Sequence, residues 1–170
     1  MKGKNNINIM NYHSPCGEMI LGSFDGKLCL CNWTDGRRRA SVDQRLQRSL
    51  KAEYVGGSSD VIQMAKRQLD EYFLHQRREF DIPLLFVGTD FQKKVWNELL
   101  KIPYGKTISY GDLAKRIGMP NAVRAVANAN AVNAISIIAP CHRVIGSDGT
   151  LTGYGGGLER KRFLLELESR

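Results

Sequence analysis

Two short helical patterns lie between residues 109 and 131, and only Gly118-Met119-Pro120 separates them. No other feature limits the fold as tightly, because helices joined by so short a turn must pack as an angled pair. Ser109-Tyr110-Gly111-Asp112 opens the first helix with a serine that can accept from the backbone three residues on. Leu113, Ala114 and Ile117 would face inward, Gly118 stops the helix and Pro120 enforces the break. Asn121 can cap the second helix. There Val123, Val126, Ala127 and Asn130 share one face, and Arg124, Ala125, Asn128 and Ala129 the other. The size and punctuation are those of a helix-turn-helix, and equally of an ordinary helical hairpin.

The second face carries one charge among small residues. A major-groove reader offers several long polar side chains to base edges. This face suits close approach to a groove floor instead, with Arg124 as a wedge or as the replacement for a displaced base. Otherwise the alanines pack on another helix and Arg124 is a surface residue. Charge favours a polyanion partner: the net is +8, with +3 in residues 1–85 and +5 in residues 86–170.

The flanking elements follow from pattern and turn chemistry. Residues 19–24 and 27–31 are apolar-rich and joined by Asp25-Gly26, a hairpin signature. Gly36-Arg37-Arg38-Arg39 reads as a solvated loop. Ile62, Ala65, Leu69, Tyr72 and Phe73 lie near one helical face, starting close to Asp60 and ending near His75. Pro83 and Gly88 mark a boundary. Thr89-Asp90-Phe91-Gln92 resembles a capping box, and Phe91, Val95, Trp96, Leu99 and Leu100 form an apolar stripe behind it. Residues 135–139 read as a strand running into Pro140-Cys141-His142-Arg143. Residues 153–157 form a glycine loop, and a final helix runs from Leu158 to about Glu168. The class is α+β: a small amino-terminal unit with an antiparallel sheet over residues 1–85, then a mainly helical unit over residues 86–170 holding the helix-turn-helix and an active-site strand.

No run approaches 18 apolar residues, and the start, Met1-Lys2-Gly3-Lys4-Asn5-Asn6, is polar, so neither membrane span nor signal segment is expected and a cytoplasmic location is. The four cysteines, Cys16, Cys29, Cys31 and Cys141, include no C-x-x-C pair. His13, Cys16, Cys29 and Cys31 give poor zinc spacing, so no metal is expected. Cys141 has the basic neighbours His142 and Arg143, a setting that favours a thiolate. Neighbouring side chains on a strand point to opposite faces, so Cys141 and His142 can cooperate only if the backbone turns or a water bridges them. A cysteine hydrolase is the competing chemistry, requiring an orienting Asn or Asp for the histidine.

Pro140-Cys141-His142-Arg143-Val144-Ile145 resembles the active-site signature of the O6-alkylguanine-DNA alkyltransferases, also called methylated-DNA–protein-cysteine methyltransferases. The resemblance runs from about Phe91 to Glu168 and takes in Pro103-Tyr104-Gly105, Ile108-Ser109-Tyr110, Arg124-Ala125-Val126, Asn133 and Tyr154-Gly155-Gly156-Gly157-Leu158. It implies that residues 1–85 are the family's ribonuclease-H-like structural domain and residues 86–170 the DNA-binding, alkyl-accepting one. It further implies direct transfer of an alkyl group from O6-alkylguanine, or O4-alkylthymine, to Cys141, once per molecule and with no cofactor. His142 would take the thiol proton through a water and Glu168 would orient His142. Tyr110 would serve the leaving guanine at N3 and contact DNA with Arg124, Ala125, Asn128 and Ala129. Pro140, Tyr154, Gly155 and Gly156 would line the base pocket, and Asn133 would hold the hinge before the active-site segment. The partner would be double-stranded DNA, bound as a monomer in the minor groove with the damaged base flipped out. Where the family has proline after that asparagine, this chain has Ala134. A lesion sensor of the same fold lacks the acceptor cysteine, and a transcription factor would need a specific operator.

Overall fold

In a computed structural model the described residues are 5–170; the polar start at residues 1–4 lies outside them. Asp25 and Gly26 both take positive φ, 52° and 76°, as a tight two-residue hairpin turn requires. They join β2 (Gly17–Phe24) to β3 (Lys27–Trp33). β1 (Asn5–Ser14) pairs antiparallel with β2, and β4 (Ala52–Gly56) pairs parallel with β1, giving the order β3-β2-β1-β4. The sheet is antiparallel, as expected, except at one edge, where β4 runs parallel to β1. A parallel return needs a crossover, and α1 (Arg39–Leu50) lies in it. The expected loop holds over residues 36–38, and only Arg39 of that run belongs to the helix. α2 (Asp60–Phe73) starts where expected: Ser59 Oγ accepts from the Ile62 amide at 3.2 Å, and Ile62, Ala65, Leu69 and Tyr72 are buried.

Both capping boxes form. Thr89 Oγ1 accepts from the Gln92 amide at 3.1 Å and Gln92 Oε1 from the Thr89 amide at 3.0 Å, opening α3 (Asp90–Leu99). Ser109 and Asp112 do the same for α4 (Tyr110–Arg116), directly after β5 (Ile108–Ser109). Leu100 falls past the end of α3 and is exposed, off the predicted stripe. Gly118 makes the turn at φ 77°. α5 (Val123–Ala131) then starts from Ala122 with no side-chain cap, so Asn121 does not cap it. α6 (Leu158–Glu168) closes the chain. No helix among the described residues is long and apolar enough to cross a membrane.

The strand expected over residues 135–139 does not form. Only Ile135 bridges to β3, through the Cys31 amide to the Ala134 carbonyl at 2.8 Å and the Ser136 amide to the Cys31 carbonyl at 2.7 Å. The Ile138 amide then closes on the Ser136 carbonyl at 2.8 Å, a three-residue turn that holds Ile137 at φ 69°. A β-branched residue in that region is strained, so neighbouring bonds must hold it. The chain next enters a single 3-10 turn, Cys141–Arg143, before β6 (Val144–Ile145) pairs parallel with β5. Cys141 therefore sits on a helical turn and not on a strand. β3 also pairs with residue 84 at its other end: the Leu28 amide meets the Pro83 carbonyl at 2.9 Å and the Leu85 amide the Leu28 carbonyl at 2.8 Å. One edge strand thus anchors both the connection between the halves and the segment leading to Cys141.

Candidate active site

The 3-10 turn brings Cys141 and His142 together with residues that the sequence places far apart. Asn133 Nδ2 donates to Cys141 Sγ at 3.2 Å, to the Ala139 carbonyl at 2.9 Å and to the Ile135 carbonyl at 3.1 Å, and its Oδ1 accepts from the Ile135 amide. One side chain so ties the strained turn to the thiol. His142, fully buried, bonds through Nε2 to Glu168 Oε2 at 2.7 Å. An ionised carboxylate can only accept, so Nε2 carries the proton and Nδ1 presents a lone pair. Nδ1 is buried and has no hydrogen-bond partner among the described residues, and Cys141 and His142 make no direct bond to each other.

Glu168 is clamped. Arg143 grips both of its oxygens, Nε to Oε1 at 2.8 Å and Nη2 to Oε2 at 3.0 Å, while Arg143 Nη1 donates to the Ile102 carbonyl. Tyr72 of α2 donates its hydroxyl to Oε2 at 2.6 Å. Burial alone would raise the Glu168 carboxyl, but the bonds from His142 and Arg143 outweigh it and hold it well below the usual carboxylate range. Burial depresses His142 against the opposing pull of Glu168, so the imidazole is neutral at pH 7. Burial pushes the Cys141 thiol up, while the Asn133 bond and the Lys161 charge lower it. The resting thiol is thus protonated and needs a base.

Lys161 lies fully buried on α6. Its Nζ donates to the Val144 carbonyl at 2.5 Å, the Thr152 carbonyl at 2.7 Å and, more weakly, Tyr110 Oη at 3.4 Å. Burial brings its ammonium down to about 8. Tyr110 is itself buried and donates to the Thr152 carbonyl at 2.9 Å. A cavity of about 10 Å³, bordered by Asn130, Asn133, Ser136 and Gly155, adjoins Cys141; it has room for about one water. A larger one of about 190 Å³ is walled by Arg37, Gly153, Tyr154 and Leu158. The two share Arg38, Ala131 and Gly155 as walls.

Two family profiles match this chain: the 6-O-methylguanine DNA methyltransferase ribonuclease-like domain over residues 10–86, and the DNA binding domain of the same methyltransferase over residues 90–170. The chain belongs to the 6-O-methylguanine DNA methyltransferase family. It is 43% identical to a methylated-DNA–protein-cysteine methyltransferase of Methanosarcina acetivorans, over 92% of this chain and 95% of the relative. It is 40% identical to the constitutive methyltransferase of that name from Bacillus subtilis, over 94% and 96%. Its fold matches a Mycobacterium tuberculosis OGT in complex with DNA at TM-score 0.80 and 42% identity, covering 96% of this chain and 92% of that one.

Within this methyltransferase fold, Asn133 bonds to Cys141 and Glu168 to His142, while Tyr110 and Lys161 form a second cluster on the Thr152 carbonyl whose Lys161 charge is felt at Cys141. Arg124, Ala125 and Asn128 are exposed on α5. Ala129, expected beside them, is buried, and its carbonyl accepts from Trp96 Nε1 at 2.8 Å: the helix is rotated so that Val123 shows instead. Tyr154 and Gly155 line the larger cavity. Gly156 packs on Trp33, where an added Cβ would lie 2.5 Å from the indole. Pro140, at φ −80° and ψ 67°, turns into a separate cleft beside Tyr104 and Arg143. The sequence reading missed Tyr72, Ser136 and Lys161. Lys161 was detectable: with Leu164 and Glu168 it falls at i, i+3, i+7 on the buried stripe of α6. Among the described residues no three His, Cys, Asp or Glu side chains converge as metal ligands.

Proposed function

We propose that this chain repairs DNA by taking the alkyl group of O6-alkylguanine onto Cys141, one alkyl group per molecule. The observation that carries the reading is the relay: a protonated thiol beside a neutral imidazole whose free Nδ1 lone pair is set by Glu168 on the opposite nitrogen. The thiol proton passes to Nδ1 through one bridging water, Sγ attacks the alkyl carbon, the C–O6 bond breaks and the guanine leaves with the bonding pair. Asn133 stabilises the sulfur as it gains charge. Tyr110 donates to the guanine as charge develops on its ring, with Lys161 behind it. Tyr110 has a single O–H and must release the Thr152 carbonyl to donate to the base, whereas Lys161 can keep its bonds to Thr152 and Tyr110 together.

Residues 1–85 form the structural unit and residues 86–170 the DNA-binding and accepting unit, in keeping with the extents of the two profile matches. α5 enters the minor groove as a monomer does, with Arg124 filling the space of the flipped base and little sequence preference. The thioether formed on Cys141 has no leaving group that this site can expel, which supports a single turnover. The test is a titration of duplex containing one O6-methylguanine against fixed protein. Restored guanine is expected to plateau at one equivalent; product continuing to accumulate past the protein concentration would overturn the single-turnover reading.

A further inference from the structure

We infer that Tyr72, from the amino-terminal half of the chain, is a positioning residue of the alkyl-transfer relay: its hydroxyl, donated to Glu168 Oε2, limits how strongly that carboxylate draws a proton onto His142. The inference rests on the relay reading above and deepens it.

Tyr72 is fully buried in α2, and its ring is fixed by Phe73, Phe80 and Tyr104 at centroid distances of 5.2, 5.6 and 6.2 Å. A phenylalanine would satisfy every one of those packing neighbours. Among the described residues the hydroxyl has one partner, Oε2 at 2.6 Å, the same oxygen that receives His142 Nε2 at 2.7 Å and Arg143 Nη2 at 3.0 Å. Oε1 takes Arg143 Nε at 2.8 Å and the Gly105 amide at 3.4 Å. Burial and the Glu168 charge raise the phenol far above its usual value, so it is always a donor here.

Donors on one carboxylate oxygen compete for its charge. With Tyr72 in place, less negative charge faces His142 and the imidazole stays neutral, with Nδ1 free to accept the thiol proton. Removing the hydroxyl concentrates charge on the His142 side and favours imidazolium, which cannot act as the base. The other groups facing these two are unchanged by that removal. Arg143 and Lys161 both disfavour protonation of His142, and Tyr104, with Arg78 over its ring, lies on the Glu168 side. The direction of the effect is therefore fixed: His142 rises.

The experiment is the rate of methyl transfer from duplex O6-methylguanine as a function of pH, for wild type and Tyr72→Phe, with DNA affinity and thermal unfolding measured alongside. The acid limb is expected to move up by roughly half to one pH unit, a loss of about three- to tenfold on that limb, with plateau rate and DNA affinity held. Coincident acid limbs, or an equal loss at every pH, would overturn the inference and leave Tyr72 a structural residue. Should Tyr72→Phe unfold, site-specific 3,5-difluorotyrosine at position 72 keeps the shape and strengthens the donor. The acid limb must then move down, and an unmoved limb overturns the inference. Absence of transfer by wild type is a different failure, that of the relay reading itself.

Discussion

The two oxygens of Glu168 collect donors from three separate stretches of chain: Tyr72, Gly105, and His142 with Arg143. Such convergence on a buried charge makes the residue structural and chemical at once. Replacing it with glutamine leaves the Arg143 guanidinium buried without its countercharge, a loss of about 3–5 kcal/mol. The acid response follows from the same contacts. Because the folded carboxyl is held far below its ordinary 4.5, the native state stays ionised where the unfolded chain takes up a proton. That stabilisation is complete above 4.5 and drains as the pH falls below it. Buried neutral His142 adds a second decline, beginning nearer its ordinary 6.5, where the unfolded chain protonates first. Urea unfolding of Glu168→Gln should therefore show a lower midpoint at neutral pH and lack the part of the acid decline that wild type shows below 4.5. Parallel wild-type and variant curves across that range would contradict the placement of the charge.

Among the elements, α5 is the one proposed to enter the groove. Its exposed side offers Arg124 between small neighbours, and Lys115 and Arg116 close the preceding helix. Arg124→Ala should slow repair in duplex DNA by roughly ten- to a hundredfold, part or all of the few kcal/mol of unstacking one base, while reaction with free O6-benzylguanine changes little. Equal losses on both substrates would remove the wedge role. Elements with strong local chemistry were legible in the sequence: the Asp25-Gly26 hairpin, both capping boxes, α2 and α6. The misses have physical causes. β1 carries asparagine at 5, 6, 8 and 11, and α1 buries only Val42 and Leu46, so neither shows a clear apolar period. Residues 135–139 are rich in β-branched side chains, yet Asn133 and the β3 edge hold them in a turn with Ile137 at positive φ. Local propensity cannot register a bond made to a residue 100 positions away.

At the scale of the whole molecule, the site around Cys141 is a product of both halves. Trp33 Nε1 donates to Tyr154 Oη at 3.2 Å, the Arg37 amide to the Gly155 carbonyl at 3.1 Å, and Arg45 Nη2 to the Val132 carbonyl at 3.0 Å. Tyr72 reaches the relay carboxylate from α2. The proposed acceptor and base lie within six consecutive residues, but the contacts that support them depend on how the amino-terminal sheet docks against the second half, which no local pattern encodes. The central claim concerns one sulfur atom, and intact-protein mass followed by peptide mapping reads it most directly. Wild type and Cys141→Ala are each incubated with excess duplex bearing one O6-methylguanine. One added methyl group is expected in wild type, mapped to Cys141, with none in the variant. A methyl group mapped to Cys16, Cys29 or Cys31, or an unmodified wild type beside repaired DNA, would contradict it.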